Sequence, residues 1–269
     1  MGHRNNTRSL TRSKHYTTVV FDLGDVLFTW SASTPKSPLP SQTIKNILRS
    51  FHWFEYEKGN LTEDEVYSLV AKEFRVATAD VKDAFDAARD SLQSNPKLLD
   101  VVQELRESGL AIYAMSNISA PDWAVLSTKA TPKDWALFDR VFTSYVSLYS
   151  TYPLGVLILL HYSADARERK PNIGFYEYVI KQTRIDPSCT IFVDDKIENV
   201  LSARSFGMQG IVFDDQAKAV QQIKNLCGDP ILRGNKFLVS HKKHLTSVTS
   251  DNIELSEVLR FFFSLTDTV

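Results

Sequence analysis

Val19-Val20-Phe21-Asp22-Leu23-Gly24-Asp25-Val26-Leu27 sets three consecutive apolar residues against an abrupt acid and a turn containing glycine, where the backbone must make room. A short apolar run with no polar alternation reads as a strand buried on both faces, as in parallel sheets. Two later stretches repeat the pattern: Ala111-Ile112-Tyr113-Ala114-Met115 stops at Ser116, and Thr190-Ile191-Phe192-Val193 stops at Asp194. Between them lie segments of helical period, 95–107 with Leu98, Leu99, Val102 and Leu105, and 174–183 with Phe175, Tyr178 and Val179. Strand, helix, strand alternation predicts an α/β fold whose parallel sheet is covered on both faces. Ligands in that architecture gather outside the carboxyl ends of the strands, where Asp22, Ser116 and Asp194 all sit.

The stretch 29–94 carries no comparable strand. It opens with a loop holding Pro35, Pro38 and Pro40 and then shows helix-like runs over 41–52, 62–74 and 79–92, the second begun by a Thr62/Glu65 capping box. A helical insertion lying over the site is the simplest account. Residues 1–15 read as a disordered basic tail, 16–28 and 95–215 as the core, 29–94 as the helical insertion and 216–269 as a helical extension. Within the extension, helical runs are expected over 216–226, 230–244 and 253–265, the last apolar enough to need a packing partner. Residues from Val146 to about 162 match neither flank in composition and read as inserted, retained intron sequence being one origin.

Composition closes several doors. The chain of 269 residues is 43% hydrophobic and 23% charged, enough to build a substantial core. Lys and Arg number 31 against 32 Asp and Glu; setting aside Arg4, Arg8, Arg12 and Lys14 leaves 27 against 32, an acidic body without the positive field that nucleic acid requires. The most hydrophobic stretch, from Pro153 to Leu160, is far below the roughly 18 residues of a membrane span. No secretory or myristoylation signal is expected at the N-terminus, and two cysteines without metal-type spacing, Cys189 and Cys227, suggest a reduced, cytoplasmic setting. The oligomeric state is left open.

The polar residues at the strand ends carry the candidate chemistry. A carboxylate such as Asp22 becomes a useful nucleophile when a cation holds both it and the phosphorus it attacks, although a lone Asp there serves equally well as a helix cap. Ser116 and Asn117 offer a hydroxyl and an amide to phosphate oxygens, or form an ordinary turn. Lys170, before Pro171, supplies a fixed positive charge. Asp194 and Asp195 are adjacent acids whose repulsion a divalent cation relieves, and oxygen-only ligation suits Mg²⁺.

In this order the four elements resemble the haloacid dehalogenase (HAD) superfamily. Its motifs are matched by Phe21-Asp22-Leu23-Gly24-Asp25-Val26-Leu27, by Ser116-Asn117, by Lys170-Pro171 and by Val193-Asp194-Asp195 with Asn199 behind. The resemblance implies a Rossmann-like core with a helical C1 cap and a Mg²⁺-dependent phosphatase. Asp22 would be the nucleophile, Ser116, Asn117 and Lys170 would bind the phosphoryl group, and Asp22, the Gly24 carbonyl, Asp194 and Asp195 would hold the metal. Many family phosphatases carry an acid at the position of Gly24 to protonate the leaving oxygen, and here that group is missing, with Asp25 one position off. Ser116 to Lys170 is also long, 54 residues against 24 from Lys170 to Asp194.

A closer resemblance, to fungal HAD-like phosphatases and drimane-type terpene cyclase-phosphatases, is carried by Trp53-Phe54-Glu55-Tyr56-Glu57, Ser116-Asn117-Ile118-Ser119-Ala120-Pro121, Asp194-Asp195-Lys196-Ile197-Glu198-Asn199 and Gly228-Asp229-Pro230-Ile231-Leu232-Arg233-Gly234. It implies a small-molecule prenyl phosphate or diphosphate substrate in terpenoid metabolism. The Asp-x-Asp-Thr-Thr motif of the cyclase domain is not found, so a stand-alone phosphatase relative, or a truncated one, is expected. Phe51, Trp53, Phe54 and Tyr56 either line a hydrocarbon pocket or form the insertion's own core. Two rival readings are a catalytically impaired interaction domain, suggested by Gly24, and a metal-free 2-haloacid dehalogenase, against which the pair Asp194-Asp195 argues.

Overall fold

The computed structural model describes residues 15–145 and 168–227. Its strands in chain order are β1 (Thr18–Phe21), β2 (Phe28–Thr29), β3 (Gln93–Ser94), β4 (Ala111–Ser116), β5 (Arg140–Thr143), β6 (Thr190–Asp194) and β7 (Gln209–Val212). Five of them form one parallel sheet in the order β5-β4-β1-β6-β7. All four residues of β1 are buried, as the unbroken apolar run predicts for a central strand covered on both sides. Because β4 and β6 flank β1, the chain reverses its order across the sheet there, and the crevice at this switch point opens above Asp22.

Four helices, α1 (Ser41–Ile47), α2 (Phe51–Glu57), α3 (Glu63–Phe74) and α4 (Thr78–Asp90), follow β1. They hang from the two-residue antiparallel pairing of β2 with β3, Phe28 opposite Ser94. Their apolar faces meet in a cluster of their own, including Ile44, Ile47, Trp53, Tyr56, Val66 and Phe85. The helical run over 41–52 is two helices, not one. Ser50 adopts an extended backbone and its side chain accepts from the Trp53 N–H, so it ends the first and caps the second. The Thr62/Glu65 capping box forms as expected.

The sheet is covered by α5 (Pro96–Glu107), α6 (Ala120–Leu126), α7 (Pro132–Trp135), α8 (Ile173–Thr183), α9 (Ile197–Ser205) and α10 (Gln216–Cys227). One apolar cluster, with Val19, Phe21, Val102, Ile112 and Ile191, fills one face, and another, with Val20, Met115, Phe175 and Phe192, fills the other. The insertion read over 146–162 and the helices read over 230–244 and 253–265 lie outside the described residues. No helix among the described residues is long and apolar enough to cross a membrane.

Candidate active site

Asp22 leaves the carboxyl end of β1 with its backbone N–H donating to the Val193 carbonyl at 2.8 Å, which ties it to β6. Register finishes the placement. Phe21 lies opposite both Ala114 and Val193, so Asp22 and Asp194 emerge side by side, with Ser116 at the end of β4 on the other flank. The loop that follows closes on itself: the Leu27 and Phe28 N–H groups donate to the Leu23 carbonyl at 2.9 and 2.8 Å, and the Asp25 N–H donates to the Phe28 carbonyl at 2.8 Å. Its left-handed residue is Asp25, at φ 55°, not Gly24. A Cβ on Gly24 would meet nothing within 4 Å, so neither backbone strain nor crowding calls for glycine, contrary to the expectation that the turn must make room. The Asp25 carboxylate accepts from Trp30 Nε1 at 3.2 Å.

Lys170 is the hub. Its Nζ lies 2.8 Å from Asp22 Oδ1 and 2.6 Å from Asp194 Oδ2, with the lysine side chain only 1% exposed. The Asn117 amide grips the lysine's backbone in both directions, Nδ2 donating to the Lys170 carbonyl and Oδ1 accepting from its N–H, each at 2.8 Å. Asn117 lines the cavity, and these bonds make its amide a clamp on Lys170. Asp194 Oδ1 accepts from the Lys196 N–H at 2.9 Å and from Asn199 Nδ2 at 2.8 Å, and Asn199 is itself fixed by the Tyr176 hydroxyl on its carbonyl. Asp22 Oδ1 also accepts from the Leu23 N–H at 2.7 Å. Its Oδ2 and the Ser116 hydroxyl carry no hydrogen bond among the described residues.

Sequence reasoning missed one pair. Arg169 Nε lies 2.7 Å from Glu57 Oε2, and its guanidinium stacks 3.8 Å from the centroid of the Phe54 ring. Ser144 Oγ donates to the Glu57 carbonyl at 2.7 Å. The Arg169 contacts join α2 to the segment carrying Lys170, and the Ser144 bond joins it to the end of β5. Neither residue belongs to a periodic pattern, so no local signal points to them.

The acidic floor opens into a cavity of about 670 Å³ shared by sheet and helices. Asp22, Gly24, Ser116, Asn117, Lys170 and Asp195 lie on its walls, while Asp194 is buried behind Lys170. Trp30, Leu48, Trp53, Phe54 and Phe85 supply an apolar side from the insertion, faced by Ile118 and Leu126 from the core. Of the aromatic residues singled out in the sequence, Trp53 and Phe54 reach this cavity. Tyr56 is buried with its hydroxyl bonded to Glu63, and Phe51 is exposed.

The profile of haloacid dehalogenase-like hydrolases matches residues 16–207, which takes in every one of these groups. The chain belongs to this family. The HAD chain is 37% identical over 242 residues to drimenol cyclase from Aspergillus calidoustus, covering 89% of this chain but only 42% of the cyclase. It is 30% identical to a sesquiterpene phosphatase from Aspergillus oryzae, over 78% of this chain and 95% of that one. The fold is that of a HAD family enzyme from Bacteroides thetaiotaomicron, solved with magnesium and inorganic phosphate, at a TM-score of 0.52, 19% identity, and coverage of 76% of this chain and 98% of that chain. A HAD-like hydrolase from Porphyromonas gingivalis gives a TM-score of 0.57 at 20% identity, covering 79% and 98%.

The HAD site concentrates negative charge. Burial, reinforced by Asp194 and Asp195 and opposed by Lys170, pushes the Asp22 carboxyl up to about 7. Burial also raises Asp25 and Asp195. Burial pulls the Lys170 ammonium down, but Asp194 and Asp22 outweigh it and the net direction is up. Asp22, Asp194 and Asp195 each bring a carboxylate oxygen to within 4.8 Å of the others. Three carboxylates against the Lys170 ammonium and that of Lys196, 3.0 Å from Asp195, leave an excess of negative charge in an all-oxygen donor set, which fits a hard divalent cation.

Lys170→Met tests this balance. Breaking a buried ion pair from one side costs about 3–5 kcal/mol, because the remaining acids keep their desolvation penalty without a counter-charge. The Asp22 carboxyl, already raised, rises further in the variant. Its contribution to stability is then full below the ordinary carboxylate range and lost as pH climbs through the raised value. Melting of the metal-free variant is therefore expected to be strongly depressed at pH 8 and to recover towards pH 5. A loss that does not depend on pH would contradict the charge account.

Proposed function

We propose that this hydrolase is a magnesium-dependent phosphatase that acts through an aspartyl-phosphate at Asp22. Its substrate is a small organic or prenyl (sesquiterpenyl) phosphate or diphosphate of terpenoid secondary metabolism. The observation that carries the reading is the joining, in one cavity, of the Asp22–Lys170–Asp194 floor to a wall of Trp30, Trp53, Phe54 and Phe85. An amphiphile with an anionic head and a hydrocarbon tail matches both parts. The name of the sesquiterpene phosphatase relative supports the same substrate class.

Asp22 Oδ2, the oxygen without a hydrogen bond among the described residues, attacks phosphorus. The Ser116 hydroxyl and the Lys170 ammonium hold oxygens of the transferring group and offset its charge, and Asn117 keeps Lys170 in position. Asp22, the Gly24 carbonyl, Asp194 and Asp195 would hold magnesium, which when bound supplies further neutralisation of the phosphoryl oxygens. Water then cleaves the aspartyl-phosphate. The four-helix insertion serves as the cap of this site. Cys189 is a free thiol, in keeping with a cytoplasmic setting.

Phosphate release from farnesyl phosphate, farnesyl diphosphate, glucose 6-phosphate and AMP, with magnesium or with EDTA, tests the proposal. The expected result is release that needs magnesium, with kcat/KM for the prenyl esters at least about tenfold above the others, since the apolar wall discriminates by buried hydrocarbon. Equal turnover in EDTA, or halide release from 2-chloropropionate in its place, would overturn it.

A further inference from the structure

Six cationic side chains line the cavity: Lys45, Arg49, Arg89, Arg169, Lys170 and Lys196. Four of them already have a carboxylate. Arg89 meets Asp122 at 2.7 Å, Arg169 meets Glu57 at 2.7 Å, Lys170 bridges Asp22 and Asp194, and Lys196 meets Asp195 at 3.0 Å. Lys45 and Arg49 have no acidic partner among the described residues. They come from the last turn of α1 and the residues just after it, four positions apart, so a single stretch of the insertion puts two charges without an acidic partner among the described residues on the wall of the cavity that Asp22, Ser116 and Lys170 also line. Burial raises the Asp25 carboxyl, on the loop that follows Asp22, and the charge of Lys45 is among those that oppose the rise. A favourable interaction with the helix C-terminus accounts for a cation in the last turn, but not for two that face the cavity.

We propose that Lys45 and Arg49 form a second anion subsite, which holds a phosphoryl group beyond the one that Asp22 attacks and makes a diphosphate the preferred substrate. The inference rests on the phosphatase reading above. The leaving group supports it independently. No acid stands at Gly24, where a side chain would enter open space. A departing phosphate needs no proton, whereas a departing alkoxide does. In the step proposed, Asp22 Oδ2 forms a bond to the terminal phosphorus and the bond from that phosphorus to the bridging oxygen breaks. The bridging oxygen leaves with the electron pair as a phosphate monoester, held by Lys45 and Arg49. Water then releases inorganic phosphate from Asp22.

The test compares inorganic pyrophosphate with inorganic phosphate by calorimetry at fixed free magnesium. It is carried out on the full chain in an Asp22→Asn background, where turnover does not confuse the heat, with and without Lys45→Gln/Arg49→Gln. Both positions are exposed, so the substitutions leave the core untouched, and a melting curve checks this. Charge-assisted contacts of this kind correspond to roughly ten- to a hundredfold in affinity. Pyrophosphate is expected to bind at least about tenfold tighter than phosphate, a preference that the double variant reduces to near parity. In the Asp22 parent, KM for farnesyl diphosphate rises with the double substitution while that for farnesyl phosphate stays. An unchanged pyrophosphate preference in the double variant, or none to begin with, overturns the subsite. Failure of the phosphatase reading is seen separately, as no turnover of any ester, and leaves the binding comparison intact.

Discussion

Asp22→Asn is expected to abolish turnover, by at least about 10⁴-fold, yet to leave the metal-free protein no less stable than the parent. An amide keeps the shape and the hydrogen bond from the Leu23 N–H, but it is a far poorer nucleophile than a carboxylate. Its effect on stability runs against the usual cost of a buried substitution. Lys170 retains Asp194 at 2.6 Å, so the ammonium does not lose its last counter-charge. The substitution removes one of three acids that repel one another. The folded Asp22 carboxyl lies at about 7, above its ordinary 3.8. What it contributes to stability is therefore full below about pH 4 and lost as pH rises through 7, so the advantage of the asparagine variant should emerge above pH 7. Phosphate release together with melting at pH 5 and pH 8 measures both halves. Turnover within tenfold of the parent would remove Asp22 from the role of nucleophile.

Gly24→Asp is expected to raise activity. The glycine has ordinary negative φ and room for a side chain, so the aspartate meets neither strain nor a clash. Its neighbours Asp22, Asp25 and Asp195 carry carboxyls already raised by burial and mutual repulsion. The same burial and repulsion push a further acid among them upward, towards the protonated state a proton donor needs. General acid catalysis is worth roughly 10²–10⁴ in rate where the leaving group is an alkoxide. The rate for farnesyl phosphate should therefore climb at least about tenfold. p-Nitrophenyl phosphate and farnesyl diphosphate, whose leaving groups depart without a proton, should change little. A parallel rise for all three substrates would show that the new carboxyl acts in some other way than by proton transfer.

Much of the architecture could be read along the chain. The runs ending at Asp22, Ser116 and Asp194 are buried strands of one parallel sheet, and Thr62 with Glu65 begins α3 as its side-chain chemistry predicts. Two edge strands, β5 and β7, escaped notice, since four residues are too few to show a period and β7 contains Gly210. The break at Ser50 escaped as well. The apolar spacing continues across it, and the cap that divides α1 from α2 shows only once the backbone direction is known.

The chain alone determined that three buried strands end in oxygen-bearing residues and that a helical segment follows the first, because burial and helical period are local properties written every two to four residues. Folding decided which of those ends meet. The order β4-β1-β6 brings Asp22 beside Asp194, and it carries Lys170 into the dry space between them, 24 residues from one partner. It also brings Glu57 to Arg169 across 112 residues and leaves Lys45 and Arg49 as the cavity cations without an acid among the described residues. A charged residue has the same letter whether water or another charge surrounds it, and only packing distinguishes the two.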